Sequence, residues 1–239
     1  MIYIPSYKRP TDCLTARVFK SAVICCHEFE AEEYRKNNTN KVLVMPDSIC
    51  GQGMAKIRNW IVDHAEEEYI VLMDDDIASM GYYEGKQRYE YSDEEWHAFI
   101  INAFVMCEEA GTVLWGVNLL EDKKAYREYS PFSLLSIVLG PCMGIIRRGN
   151  NIRFDEGLGL KEDYDYALQV LNKYRRILRF NKVHYRGKHI KGSGGCIAYR
   201  TSEKEEQQRK RFQEKWGSRI VKFKQGDINP IIQVPINGI

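Results

Sequence analysis

Between Glu68 and Met73 the chain reads Glu-Tyr-Ile-Val-Leu-Met, and it then stops on three consecutive aspartates, Asp74, Asp75 and Asp76. A near-continuous apolar run of this length is a strand buried on both faces, the position of an interior strand in a parallel sheet. Parallel strands need crossover connections, usually helices, so the flanking sequence should alternate between the two periods. It does so from the start. Met1 to Ile4 is a short apolar run closed by Pro5-Ser6, and a helical pattern begins near Asp12 with Leu14, Val18 and Ala22 on one face. A second short strand fits Ser21 to His27, an acidic helix Glu28 to Asn37, a third strand Lys41 to Met45, and a helix Met54 to Glu67. This alternation predicts an α/β fold with a mostly parallel central sheet flanked by helices.

In such sheets ligands bind at the carboxyl ends of the strands. Pro5 to Pro10 and Asp74 to Asp76 both lie at such ends. Three adjacent carboxylates raise one another's pKa unless a cation neutralises them. Strand alternation puts Asp74 and Asp76 on one face and Asp75 on the other, so the D-x-D spacing can present two hard oxygens to Mg²⁺ or Mn²⁺. The competing reading is a loop of solvated acids capping the next helix.

Beyond residue 80 the pattern changes. Gly81 to Tyr91 is tyrosine-rich, Asp93 to Gly111 reads as a helix capped by Ser92 or Asp93, and Val113 to Leu119 as a strand. Lys161 to Lys173 is another helix, Ile177 to Tyr185 another strand, Gly187 to Cys196 a glycine-rich basic loop, and Glu203 to Trp216 a strongly charged final helix. No repeat or low-complexity linker divides the 239 residues, so a single domain is expected over 1–239. Its expected parts run over 1–80, over 81–200, and over 201–239, the last a C-terminal helix and tail.

Lys plus Arg is 35 against 33 Asp plus Glu, a net charge of +2, which excludes a polybasic binder; contact with a polyanion must come from a local patch. One such run extends from Arg175 to Lys191, with Arg175, Arg176, Arg179, Lys182, His184, Arg186, Lys188, His189 and Lys191 and no acid. That charge pattern suits a nucleic acid. Tyr82, Tyr83, Tyr89 and Tyr91, interleaved with Lys86 and Arg88, could stack an extruded base, or could pair across a hairpin. The longest apolar run, Phe132 to Ile146, is too short for a bilayer and is broken by Gly140, Pro141 and Gly144. Seven cysteines without a CxxC pair argue against disulfides and a zinc knuckle. With no apolar leader at Met1, a cytoplasmic protein without membrane contact is expected.

The segments Met1 to Pro10 and Gly51 to Ile77, with a Gly-x-x-x-Ala-x-x-Arg-Asn helix leading into the D-x-D strand, resemble those of GT-A glycosyltransferases. Phe154-Asp155-Glu156, Glu162-Asp163-Tyr164-Asp165 and Phe212-x-x-Lys215-Trp216-Gly217 are similar to later motifs of inverting members. The short chain, the Pro-Ser-Tyr-Lys-Arg-Pro opening and the Leu114-Trp-Gly-Val-Asn118 strand look similar to the TET-associated glycosyltransferases of bacteriophages, which attach sugars to hydroxymethylated pyrimidines in DNA.

The resemblance implies a metal-dependent inverting transferase that moves a sugar from a nucleotide diphosphate sugar, a UDP-sugar, to 5-hydroxymethylcytosine. Pro5, Ser6, Tyr7, Arg9, Arg58 and Asn59 would hold the nucleotide, with Asp74 on the ribose and Asp75 in the same group. Asp76 and Asp74 would ligate the metal, and a third ligand would come from His189 or His184. Lys188 and Lys191 would meet the pyrophosphate. Asp163 is the implied general base, with Glu162 and Asp165 beside it; a helix start favours such carboxylates even without catalysis. Two other readings compete: the same chemistry on a bacterial surface glycan, and a nucleotidyltransferase, which would need a glycine in the Ser6-Tyr7-Lys8-Arg9 loop.

Overall fold

The computed structural model describes residues 1–122, 126, 128–188, 201–224 and 226–234. The strands are β1 (Ile2–Pro5), β2 (Val23–His27), β3 (Lys41–Met45), β4 (Tyr69–Met73), β5 (Ile77–Glu84), β6 (Gln87–Glu90), β7 (Leu114–Asn118), β8 (Phe132–Ser133), β9 (Cys142–Ile146), β10 (Leu178–Gly187), β11 (Val221–Lys222) and β12 (Ile231–Ile232). The helices are α1 (Leu14–Val18), α2 (Ala31–Asn37), α3 (Met54–His64), α4 (Asp93–Glu109), α5 (Glu162–Tyr174) and α6 (Ser202–Trp216).

One large sheet carries the order β3-β2-β1-β4-β9-β7-β10-β5-β6, with β8 paired to β10. The half built from β3, β2, β1 and β4 is wholly parallel. Beyond it, β9 inserts antiparallel between β4 and β7, and β5 lies antiparallel to β10. The apolar run Tyr69–Met73 is the interior strand β4, four of its five residues buried. β9 falls inside the Phe132 to Ile146 run that composition marked only as apolar, and a covered sheet interior is where such a run belongs. One contiguous core of buried residues spans the sheet and its flanking helices.

Several elements are shorter than their periodicity. The helix expected from Asp12 is the five-residue α1, and the acidic helix opens with a 3₁₀ turn over Glu28–Glu30. α4 starts at Ser92, whose side chain accepts from the Glu95 amide in a capping box. The tyrosine-rich segment is the β5–β6 hairpin, where Tyr82 stacks on Tyr89 at 5.5 Å and tilts against Tyr91 at 4.7 Å. The tyrosines thus pair across the hairpin. The six described cysteines are free thiols. No helix among the described residues is long and apolar enough to cross a membrane.

The basic run does not form one stripe. Most of it lies in β10, an interior strand whose side chains alternate between two faces. Arg176 donates to the Ala110 carbonyl, Arg179 to Asn181, and Arg186 pairs with Glu121 and Glu90. Arg175 caps α5 in a left-handed conformation at the start of the strand. Lys188, at its far end, donates its amide to the Asp76 carbonyl. At roughly 3.3 Å per residue, ten strand residues put about 30 Å between the two ends.

Candidate active site

The triple aspartate turn is fixed from below by Thr15. Its hydroxyl donates to the Asp74 carbonyl at 2.5 Å and accepts from the Ile77 amide at 2.9 Å, while its own amide donates to Asp75. The turn closes one end of a cleft of about 600 Å³ at the carboxyl ends of β1 and β4. This volume suits a nucleotide-sized ligand.

Asp75 is buried and serves the neighbouring loop. Ser6 donates its hydroxyl to Asp75 at 2.6 Å and Arg9 pairs with it at 2.6 Å. Buried Tyr34 completes the set: its hydroxyl meets Ser6 at 2.7 Å and accepts from the Arg9 amide at 3.0 Å. Burial raises the Asp75 pKa against the pull of Ser6 and Arg9. The loop after β1 therefore takes its shape from Asp75.

Asp74 and Asp76 face the cleft. The poorly solvated cleft floor pushes the Asp74 pKa up to about 6; Arg58 pulls it down, and Asp76, Asp75 and Asp163 push it further up. Arg58 is buried on α3 and bridges Asp74 at 3.5 Å to Glu162 at 3.0 Å. Glu162, buried at the start of α5, is pushed up to about 8 by desolvation despite Arg58. The guanidinium packs against Gly140, where a Cβ would lie 2.3 Å from an Arg58 nitrogen and would displace it. The same Gly140 donates its amide to Asp163 Oδ2 at 3.0 Å, and the Tyr164 amide holds Oδ1 at 2.8 Å. Asp163 is thereby oriented on the cleft wall by two backbone donors.

Some expected residues lie elsewhere. Asn59 clasps the segment before α5, donating to the Phe154 carbonyl and accepting from its amide, both at 2.9 Å. Asp165 is fully buried against α6, where it accepts from Trp216 Nε1 at 2.8 Å and from Gln169, and pairs with Lys215 at 2.8 Å. It turns away from Asp163 because residues two apart in a helix lie on nearly opposite sides of its axis. His184 points to the face of β10 opposite the cleft, accepting from Arg88 Nε at 2.8 Å beside Tyr83. Burial and Arg88 lower its pKa to about 4, so it is a neutral acceptor. His189 and Lys191 lie outside the described residues. Gly159 approaches Gly53, which holds a φ of 98°, and both line the cleft.

Tyr185 and His27 are among the cleft residues that escaped the sequence reading. Tyr185 occupies the β10 face opposite His184 and lines the cleft; burial, with Asp74, Asp76 and Asp163 nearby, raises its pKa. Strand parity separates the two neighbours, but the sequence alone does not say which face is inward. His27, at the end of β2, meets Tyr7 edge-on at 5.9 Å and stacks with Phe29 at 5.9 Å. Its burial lowers its pKa.

Among the described residues no cluster of three or more ligating side chains is assembled. Asp74 and Asp76 supply two hard carboxylates, which fits a divalent cation that takes its remaining ligands from a diphosphate and water.

Residues 1–195 match the model of a family described as TET-associated glycosyltransferase. The chain belongs to this family. No curated protein matches it in sequence. Among solved structures, this family member is similar to residues 1–349 of TarS from S. aureus in complex with UDP-GlcNAc, with a TM-score of 0.53 and 16% identity over 89% of this chain and 66% of that one. It is also similar to a mycobacterial protein, with a TM-score of 0.50 and 8% identity over 87% of this chain and 70% of that one. A third likeness, to glucosyl-3-phosphoglycerate synthase from Mycobacterium tuberculosis with Mn²⁺ and UDP-glucose, has a TM-score of 0.48 and 8% identity over 79% of this chain and 72% of that one. Against TarS 1–349 in another crystal structure, the chain spans 58% of the length. The fold of this TET-associated glycosyltransferase is of the GT-A type, with the cleft at the carboxyl ends of strands in its parallel half.

Proposed function

We propose that this protein transfers a sugar from a UDP-sugar to a hydroxyl acceptor, with 5-hydroxymethylcytosine in DNA as the acceptor and inversion at the anomeric carbon. The observation that carries the reading is the convergence of Asp74, Asp76 and Asp163 on one cleft, with Asp163 held by the Gly140 and Tyr164 amides. Pro5, Ser6, Tyr7 and Arg9 would bind the base and ribose, with His27 beside them. Asp74 and Asp76 would hold Mn²⁺ or Mg²⁺, which when bound offsets charge on the departing diphosphate. Lys188 stands next to Asp76 and would meet the same phosphates.

Asp163 takes the proton of the acceptor hydroxyl as its oxygen attacks the anomeric carbon from the side opposite the leaving diphosphate. One displacement inverts the centre, and the proton ends on Asp163. Arg58 keeps positive charge between Asp74 and Glu162, so the carboxylates can approach one another. Family membership supports a DNA acceptor, and the acceptor decides the reading. Transfer is to be measured on hydroxymethylcytosine-containing and unmodified DNA with UDP-sugars, and the anomeric configuration read by NMR. Labelling of the modified DNA alone, with a β linkage from an α donor, is expected. Transfer to saccharides in place of DNA would overturn the acceptor assignment, and retention would remove Asp163 as the base.

A further inference from the structure

One part of the cleft wall comes from residues beyond 195, outside the family match. Phe212 of α6 is buried with Tyr164 against it at 6.2 Å between ring centres. After α6 the chain reverses at Gly217 and forms the β11–β12 hairpin. Gln213 Nε2 donates to the Val221 carbonyl at 2.9 Å, the Gln233 amide to Ile220 at 2.8 Å, and the Arg209 guanidinium lies 4.6 Å from the Phe223 ring centre. The hairpin is therefore fixed to α6, and α6 to α5 through Trp216 and Asp165.

The turn between its strands brings Asn229 to the cleft, in company with Asp163 and Tyr164. Burial, with the carboxylates of Asp163 and Asp227, pushes the Tyr164 phenol up to about 12, which places the turn near that hydroxyl. The Asn229 amide donates to Asp227 Oδ1 at 3.0 Å, so the backbone closes the turn. Among the described residues the Asn229 carboxamide makes no hydrogen bond.

We propose that Asn229 determines donor-sugar specificity, its carboxamide reading hydroxyl groups of the sugar being transferred. The inference rests on the sugar-transfer reading and names a contact within it. A neutral amide offers two donors and one acceptor, which matches neighbouring hydroxyls. A diphosphate calls for cations, so it does not suit this residue. Asn229 and Asp163 line the same cleft, which must hold the anomeric carbon for the proposed attack.

The test uses the full chain and the exposed substitutions Asn229→Ala and Asn229→Asp, which remove no packing. Binding of UDP, UDP-glucose, UDP-galactose and UDP-N-acetylglucosamine is measured by calorimetry with Mn²⁺, and kcat/KM for each donor by release of UDP. The variants should keep the UDP affinity of the parent. The kcat/KM ratio between the preferred donor and its epimer should shrink about tenfold, the scale of one lost hydroxyl contact. An unchanged ratio, or an equal loss of affinity for UDP itself, overturns the proposal. A parent chain that binds these donors without turning any over would defeat the transfer reading. In that case the affinity difference between UDP and UDP-sugars, kept or lost in the variants, still decides the contact.

Discussion

Trp216 donates its indole N–H to Asp165 Oδ1 at 2.8 Å, across the interface between α6 and α5. Lys215 pairs with the same carboxylate and with Asp155 at 2.7 Å. The Lys-Trp pair near the end of the chain thus grips two acids that flank the proposed base. Asp165 is two residues from Asp163, so this latch fixes the first turn of α5.

Trp216→Phe keeps most of the ring and removes one hydrogen bond to a buried carboxylate. A loss of about 1–3 kcal/mol in stability is expected, the range for leaving such an acceptor underpaired. The measurement is thermal or denaturant unfolding. kcat should fall more than the affinity for UDP, because the substitution loosens Asp163 and leaves the nucleotide loop untouched. Equal losses in both would assign Trp216 to general stability alone.

Asp163→Asn keeps the size of the side chain and removes the base. Transfer should drop by roughly 10²- to 10⁴-fold, the span of general-base contributions, with UDP binding retained. Glu162→Gln should cost less, since Glu162 acts through Arg58 and is pushed up to about 8, where a neutral carboxyl is already favoured at neutral pH. A larger loss from Glu162→Gln would exchange their roles.

The half of the fold that reads clearly in the sequence is the half with strict alternation. β1 to β4 follow from apolar runs closed by Pro5, Pro46 and the aspartates, because parallel strands cannot pair without helices between them. β9 and β5 were hidden, since a short apolar run gives no direction and the inserted antiparallel strand has no crossover to announce it. In the site, the D-x-D spacing marked Asp74 and Asp76, and the family resemblance implied Asp163. It could not tell that Asn59 and Asp165 turn to structural partners, because neighbouring residues in a motif point to different faces. Tyr185 and Asn229 were illegible for a further reason: their place in the cleft depends on register and on a distant hairpin.

Asp76→Asn should abolish the metal dependence of nucleotide binding, because a neutral amide is a poor ligand for a hard dication. Calorimetry of UDP with Mn²⁺ and with a chelator gives the comparison. The parent should lose affinity on chelation and the variant should show no difference. Full metal dependence in the variant would leave the role of Asp76 without support.

His184 supplies a pH signature for the part of the sheet around β10. Its folded pKa, lowered to about 4, lies below the ordinary value of 6.5. The unfolded chain therefore binds the proton first, and stability is fully present above about pH 6.5 and is lost as pH falls towards 4. The difference in unfolding stability between the parent and His184→Gln should shrink across that window. A difference that stays constant with pH would mean that His184 takes up its proton at the same pH in the folded and the unfolded chain.

The basic run yields the last prediction, and its geometry changes the expected outcome. Arg175 and Arg176 sit at the start of β10, about 30 Å of strand from Lys188 and the cleft, and Arg176 is tied to the Ala110 carbonyl. A duplex seated over Asp163 would meet the Lys188 end. Log affinity for DNA should fall with log salt at a slope near −0.9 for each phosphate neutralised. Measured without donor, when no diphosphate occupies that lysine, Lys188→Gln should reduce that slope by about one unit of this size, and the pair Arg175→Gln, Arg176→Gln should leave it unchanged. If the arginine pair flattens the slope and Lys188 does not, the DNA lies across the opposite end of the sheet, and a base extruded there could not reach Asp163.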